Sequence, residues 1–384
     1  MKKPLLALLI TGVSMGVYAA GDSNGRTSGR ADSAYSTGDF IDGALLNPSL
    51  AANFREGDNF ALNINLGGFA ADPSELIDNG SDLNDLLDRY EYPRELSSLD
   101  ASDISNYLDQ IEGTQAYLTG GGNLALAFPN QILSATVFVR TDVKAGVLPS
   151  IDEQDHNTLS TQTAERFQSS ELNSEVAVRG SMVTEVGIAL AQTYHFTETG
   201  HWLLGVTPKQ VRAETFYYVD KLGTFDEDNI DKDEQTIDKT FFSMDAGVTY
   251  IKGNARYAMI INNLIGQNID SLAPSEQLTI ERQVVAAAGF RLPWVDLDGA
   301  VELTGARQFA LANDTQIARV GAVFGPQSWA RLRLGYKTDL QDTLEDTYSL
   351  GLGLAPFDAV NLDLSVTSGK DNTYGASAQL GVRF

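Results

Sequence analysis

Residues 373–384 read TYGASAQLGVRF, and their alternation decides the fold. Tyr374, Ala376, Ala378, Leu380, Val382 and Phe384 share one face of an extended chain, while Gly375, Ser377, Gln379, Gly381 and Arg383 share the other. Successive side chains point to opposite faces of a strand, so this stretch is apolar on one side and polar on the other. Such a strand can cover a globular core, or it can separate lipid outside from water inside a closed barrel. Its length is that of a tilted strand crossing a bilayer, and aromatic residues stand at both ends. The expectation is a transmembrane strand ending on Phe384.

At the other end, Lys2 and Lys3 precede an apolar run from Leu5 to Val17 and the small residues Ala19 and Ala20. This is the pattern of a cleaved secretory signal peptide over residues 1–20. No later stretch approaches twenty continuous apolar residues, so membrane residence is expected through strands. The chain has no cysteine. Disulfides, lipoprotein acylation and thiol redox chemistry are therefore excluded. Loss of Lys2 and Lys3 with the leader would leave 25 basic residues against 51 acidic ones, a net charge of −26, which argues against a nucleic-acid partner.

Alternating runs recur near 58–69, 121–128, 132–146, 180–196, 201–219, 240–252, 255–268, 277–291, 297–311, 314–325, 328–340, 346–356, 359–369 and 373–384. Phe60, Leu62, Ile64 and Leu66 against Ala61, Asn63, Asn65 and Gly67 is the clearest early case. A dry core would reject that polar face. The connections sort by parity. Those after even strands are tight and carry turn chemistry: Pro129-Asn130-Gln131, Thr197-Glu198-Thr199-Gly200, Gly253-Asn254, Pro293-Trp294, Gly325-Pro326-Gln327 and Pro356-Phe357-Asp358. Those after strands 1, 3 and 5 are long, near 70–120, 147–179 and 220–239. Outer-membrane barrels keep short turns in the periplasm and longer loops outside, with both termini periplasmic. The expected fold is all-β: an antiparallel transmembrane barrel of about 14 strands over 58–384, with a helical extracellular insertion at 72–118.

The polar segment 21–57 contains Thr37-Gly38 and the motif Asn47-Pro48-Ser49-Leu50-Ala51-Ala52. It resembles the Asn-Pro-Ala segment near the mature N-terminus of FadL-type transporters of hydrophobic compounds. It is still more similar to the related barrel family labelled TraF-like, where a Thr-Gly stretch leads into Asn-Pro and Leu-Ala. The resemblance implies that residues 21–57 fold into the lumen as a plug. It also implies that Phe384 is the assembly signal, because the last strand resembles those read by the barrel assembly machinery. Two functions follow: passage of a hydrophobic or small molecule across the outer membrane of a Gram-negative bacterium, or a docking role among conjugation-apparatus proteins. Outer-membrane lipid is the expected surroundings, and no cofactor is implied.

Within the first long connection, twelve acids and two bases lie between Asp72 and Glu112, yet Leu83, Leu86, Leu87, Tyr90 and Ile104, Tyr107, Leu108, Ile111 recur at helical spacing. Two amphipathic helices are expected, capped at Ser81 or Asp82 and at Ser102 or Asp103, packing on the barrel rim or forming a lid. Acids from Asp226 to Asp238 suggest calcium, but Ile230 and Asp231 occupy positions five and six of the would-be loop, which an EF-hand does not allow. No metal site or phosphate loop appears. His156, His195 and His201 have no nucleophile motif beside them, so no catalytic residue is assigned and the chain is expected not to be an enzyme. On the inner face, Arg291, Arg319, Arg331, Arg333 and Lys337 form a candidate ligand-binding cluster for a carboxylate or other anionic headgroup, near Asp245, Glu302 and Asp363. The alternative is that these charges pair with one another and with Asp39 and Asp42.

Overall fold

The computed structural model describes residues 24–161, 166–197, 200–225, 235–273, 276–307, 309–311, 313–355 and 359–384. The expected signal peptide at 1–20, the acids Asp226 to Glu234 and the expected turn residues 198–199 and 356–358 lie outside these residues. The alternating runs form a closed antiparallel barrel of 14 strands. They are β1 (Ala61–Ala71), β2 (Ala116–Phe128), β3 (Ser134–Ser150), β4 (Glu175–Thr197), β5 (Gly200–Lys221), β6 (Thr236–Lys252) and β7 (Ala255–Asn262), followed by β8 (Gln283–Arg291), β9 (Val295–Glu302), β10 (Ile317–Phe324), β11 (Ala330–Asp339), β12 (Thr347–Leu354), β13 (Val360–Ser368) and β14 (Thr373–Arg383). Each strand pairs with its sequence neighbours, and β14 returns to β1 with Leu62 opposite Val382 and Ile64 opposite Leu380. Phe384 fastens that seam: its N–H donates to Phe60 O at 2.9 Å and its carbonyl accepts from Phe60 N at 3.1 Å. Closure leaves no strand edge unpaired in the membrane, the condition for a sheet to reside in lipid.

The two faces divide as alternation requires. Ile64 (51% exposed), Leu380 (50%) and Val366 (55%) point outward, while Asn63, Gln379 and Asp363 are buried inside. Apolar exposure on this scale fits a hydrocarbon solvent. Phe128, Tyr194, Trp294, Trp329 and Phe384 are exposed at the end with the termini and short turns, and Tyr348 and Tyr374 at the end with the loops. They stand where the two aromatic girdles of a membrane barrel stand.

The wall is uneven. Strands β3 to β6 run 17 to 23 residues, whereas β7 to β14 run 8 to 11. The tall side rises beyond the lipid band, and helices α2 (Leu76–Leu87), α3 (Ser98–Ile111) and α4 (Glu153–Thr161) cover it. Leu83, Leu86, Leu87, Ile104, Leu108 and Ile111 pack with Ala116, Val147, Val176, Val178 and Tyr218. By parity with lipid-facing Leu124, Val139, Val186 and Val206, those strand residues are on the outer face. The helical hairpin is thus a flange outside the barrel, not a lid across its mouth. Its caps differ from expectation. Helix α2 begins at Leu76 because the Asp72 carboxylate accepts from Leu76 N at 2.7 Å and Ile77 N at 2.9 Å, and α3 begins at Ser98 because Ser97 Oγ accepts from Asp100 N at 3.0 Å. The Tyr90 hydroxyl donates to Asp100 at 2.5 Å, which holds that carboxyl below the usual carboxylate range.

Several expected boundaries shift. Strand β2 starts at Ala116, not 121, so residues 116–118 belong to the wall and not to the insertion; Gly120, Gly121 and Gly122 mask its alternation. The runs 255–268 and 277–291 are too long, since Asn263 turns the chain out of β7 with φ 52° and Gln267–Ile269 pairs with Leu278–Ile280 in a separate ribbon. Likewise β9 ends at Glu302, and Ala306–Arg307 pairs with Asp314–Thr315. These loops turn inward. Ile269, Leu278 and Phe309 pack on Ala213, and Leu311 and Leu344 pack near Phe69 and Tyr117, all on the inner face. They roof the lumen at the loop end.

Candidate functional site

The lumen of a 14-stranded barrel is wider than the side chains of its own wall can fill. Here residues 24–53 enter it, as short 3-10 turns at Ser28–Arg30 and Pro48–Ala52 around helix α1 (Asp42–Leu46). The segment meets the wall on every side. Gly25 lies against β13 and β14, Gly29 against Gly351 of β12, Ala31 against Gly335 of β11, and Ser36 against Gly289 of β8. Thr136 of β3 donates to Phe40 O at 2.9 Å.

The Asn47-Pro48 motif shows how sequence sets this path. Asn47 is fully buried; its Oδ1 accepts from Ser49 N at 3.1 Å, and its Nδ2 donates to Tyr35 O at 2.8 Å and to Thr249 Oγ1 at 2.9 Å. Pro48, with φ preset and no N–H to satisfy, starts the following turn. The pair presses into a notch made by Gly205 and Gly247, which are register partners on β5 and β6. A Cβ on Gly205 would come within 2.4 Å of Pro48 C, and one on Gly247 within 2.1 Å of Asn47 Oδ1.

Charge pairs fix the rest. Arg26 reaches Asp39 at 2.5 Å, Asp42 at 2.7 Å and Asp363 of β13 at 3.1 Å, while Arg30 reaches Asp298 of β9 at 2.9 Å. Arg383 of β14 adds a second cation 3.3 Å from Asp39. On the opposite wall Lys209 lies 2.9 Å from both Glu185 and Asp245, and Arg140, also paired with Glu185, donates to Leu45 O at 3.3 Å. Arg26 and Arg30 were not among the residues expected from sequence, because a cation in a polar glycine-rich segment reads as a linker until its partners are seen.

The five expected basic residues do not form one cluster. Arg319 pairs with Glu302 at 2.7 Å and Lys337 sits 5.5 Å from the Phe69 ring centroid; both line a cavity of about 440 Å³ under the roof. Arg291, Arg331 and Arg333 line a different cavity of about 890 Å³ at the termini end. Arg333 pairs with Asp363 at 2.7 Å, and Arg291 lies 3.6 Å from Asp296 and donates to Thr37 O. The N-terminal segment separates the two spaces, and Asp42 borders both.

Among the described residues no group of three or more His, Cys, Asp or Glu side chains could hold a metal. Ser105 Oγ lies 2.8 Å from His156 Nδ1, with Asp109 Oδ1 3.6 Å from His156 Nε2. Asp109 is largely exposed, and Ser105 lies inside α3, whose backbone N–H groups are spent on helical bonds and offer no oxyanion donors. This is a polar contact between α3 and α4.

A 14-stranded antiparallel barrel with a roofed mouth and its N-terminal segment in the lumen has the fold of the FadL-type outer-membrane channels. A crystal structure of a Pseudomonas aeruginosa FadL homologue superposes with a TM-score of 0.52 at 9% identity, covering 96% of this chain and 99% of that one. The TodX deltaS2S3 mutant monoaromatic hydrocarbon channel superposes with a TM-score of 0.50 at 9% identity, covering 94% and 99%. No curated protein matches the sequence. The family described as "F plasmid transfer operon, TraF, protein" matches residues 44–301, which is 258 of the 384 residues, and the chain belongs to that family.

Proposed function

We propose that the protein is a gated outer-membrane channel for small hydrophobic molecules, closed at rest by residues 24–53. One observation carries this: the roofed cavity combines an apolar ceiling of Phe69, Tyr117, Leu278, Phe309, Leu311 and Leu344 with an ionic floor that continues into the luminal segment. An apolar solute gains by leaving water for that ceiling, and passage beyond it requires the segment to shift. The solved structure named as a monoaromatic hydrocarbon channel supports the solute class.

The test is uptake by cells with an intact outer membrane. Cells making the chain are expected to take up a small apolar fluorescent probe several times faster than cells without it, with unchanged uptake of a sugar. Equal rates, with the barrel assembled as judged by heat-modifiable migration, would remove the channel reading. A second reading, a docking component of conjugation, is favoured by family membership and by the flange, which leaves Tyr92 and Leu99 about 70% exposed on an acidic surface outside the wall. A drop in conjugation frequency on removal of residues 76–111, with uptake unaffected, is the outcome that selects it.

A further inference from the structure

The cavity at the termini end has a chemistry that passage of apolar molecules does not use. We propose that it binds small oxyanions, phosphate or carboxylate, offered from the periplasmic side. This goes beyond the channel reading and does not depend on it.

Seven arginines border the cavity: Arg26, Arg30, Arg55, Arg291, Arg331, Arg333 and Arg383. Five of them, Arg26, Arg30, Arg291, Arg333 and Arg383, have carboxylate partners between 2.5 and 3.6 Å away. Two do not. Among the described residues Arg331 makes one hydrogen bond, from Nε to Ser328 O at 3.1 Å, and neither its guanidinium nor that of Arg55 has a carboxylate within ion-pair distance. Each leaves a planar fork of N–H donors facing the cavity, the geometry that matches a carboxylate or phosphate two bonds at a time.

Behind these, Nη1 of Arg333 and Nε of Arg291 are buried without a hydrogen-bond acceptor, and the Arg333 side chain is only 2% exposed. These two buried nitrogens are not themselves reached from the cavity, but the charge of their guanidinium groups adds to the positive potential that an anion seated on Arg331 and Arg55 meets. The carboxylates that border the same space do not occupy the forks: Glu56, next to Arg55, is exposed and forms no ion pair among the described residues. Asp39 and Asp42 are held by Arg26, Asp58 by Arg383 at 3.6 Å, and Asp296 by Arg291 at 3.6 Å. In a chain of net charge −24, a solvent-connected pocket with two guanidinium groups that have no carboxylate partner among the described residues is a local reversal of the field, and it draws anions.

The ligand could be a free anion of the periplasm or the phosphate of an inner-leaflet lipid headgroup, and titration separates them. The full chain in a maltoside detergent is titrated calorimetrically with inorganic phosphate, with citrate and with a short-chain phosphatidylglycerol. Arg331→Ala combined with Arg55→Ala is expected to weaken binding at least tenfold, while Arg212→Ala, on the outer face of β5, changes it less than twofold. Heat-modifiable migration establishes that each variant is folded. Binding of phosphate or citrate assigns a soluble anion, and binding of the lipid alone assigns a headgroup; either supports the site. Absence of binding by all three probes, or equal binding by the folded double variant, overturns it.

Discussion

A chain lacking residues 24–46 is expected to assemble into the same barrel and to conduct ions on the order of tenfold better than the full chain in planar bilayers. The wall does not need the segment in order to close, because every strand finds both partners within 61–383. The lumen does need it in order to be filled. Fourteen strands enclose more space than inward residues as small as Gly205, Gly247, Gly289, Gly321 and Gly335 can occupy, and water enters whatever the chain leaves empty. Single-channel recording checks this, and unchanged conductance in an assembled variant would mean that the segment does not obstruct the pore.

Arg26→Ala is expected to have the second-largest effect, and to act without removing any of the wall. One guanidinium serves three carboxylates. Without it, Asp39 keeps Arg383 at 3.3 Å and Asp363 keeps Arg333 at 2.7 Å, but Asp42 is left with the amides of Asn63 at 2.6 Å, Gln379 at 3.0 Å and Asn24 at 3.2 Å. A buried charge stripped of its partner costs about 3–5 kcal/mol, enough to release the segment from its seat much of the time. Limited proteolysis near Arg26 and flickering conductance are the readouts. Asp42→Asn in the same chain removes the unpaired charge and is expected to restore much of the protection; a double variant as labile as the single one would contradict this account of the latch.

Most of the barrel was legible because its physics is local. Alternation at Ile64, Leu66 and Asn63, Asn65 states which side meets lipid, and the tight turns after even strands state which end holds the termini. The failures also have physical causes. Gly120 to Gly122 carry no side chains with which to alternate, so the start of β2 was invisible. Loops that re-enter the mouth at Leu278 and Phe309 are as apolar as strands, so they read as strand extensions. The helical faces of α2 and α3 were plain, but nothing in 72–112 says that their partners are Val147, Val176 and Tyr218 on the outside of the wall. The luminal charges were assigned to the correct face and then wrongly gathered into one cluster. Height along the strand was available: Arg331 is the second residue of β11, at the turn end, and Lys337 is six residues on, which at about 3.3 Å per residue places them some 20 Å apart. Arg26 could not have been found this way, since its importance lies wholly in Asp39, Asp42 and Asp363.

The central claim is that a luminal segment must move for anything to pass, and a reversible tether tests it most directly. The chain has no cysteine, so two can be introduced without competition. Ser49 and Thr249 are fully buried with hydroxyl oxygens 2.8 Å apart, one on the segment and one on β6, close enough for sulfurs in their place to bond. In the Ser49→Cys, Thr249→Cys variant, oxidation is expected to stop uptake of the apolar probe and reduction to restore it, with the barrel folded in both states. Uptake that continues at the same rate with the disulfide formed would contradict the claim.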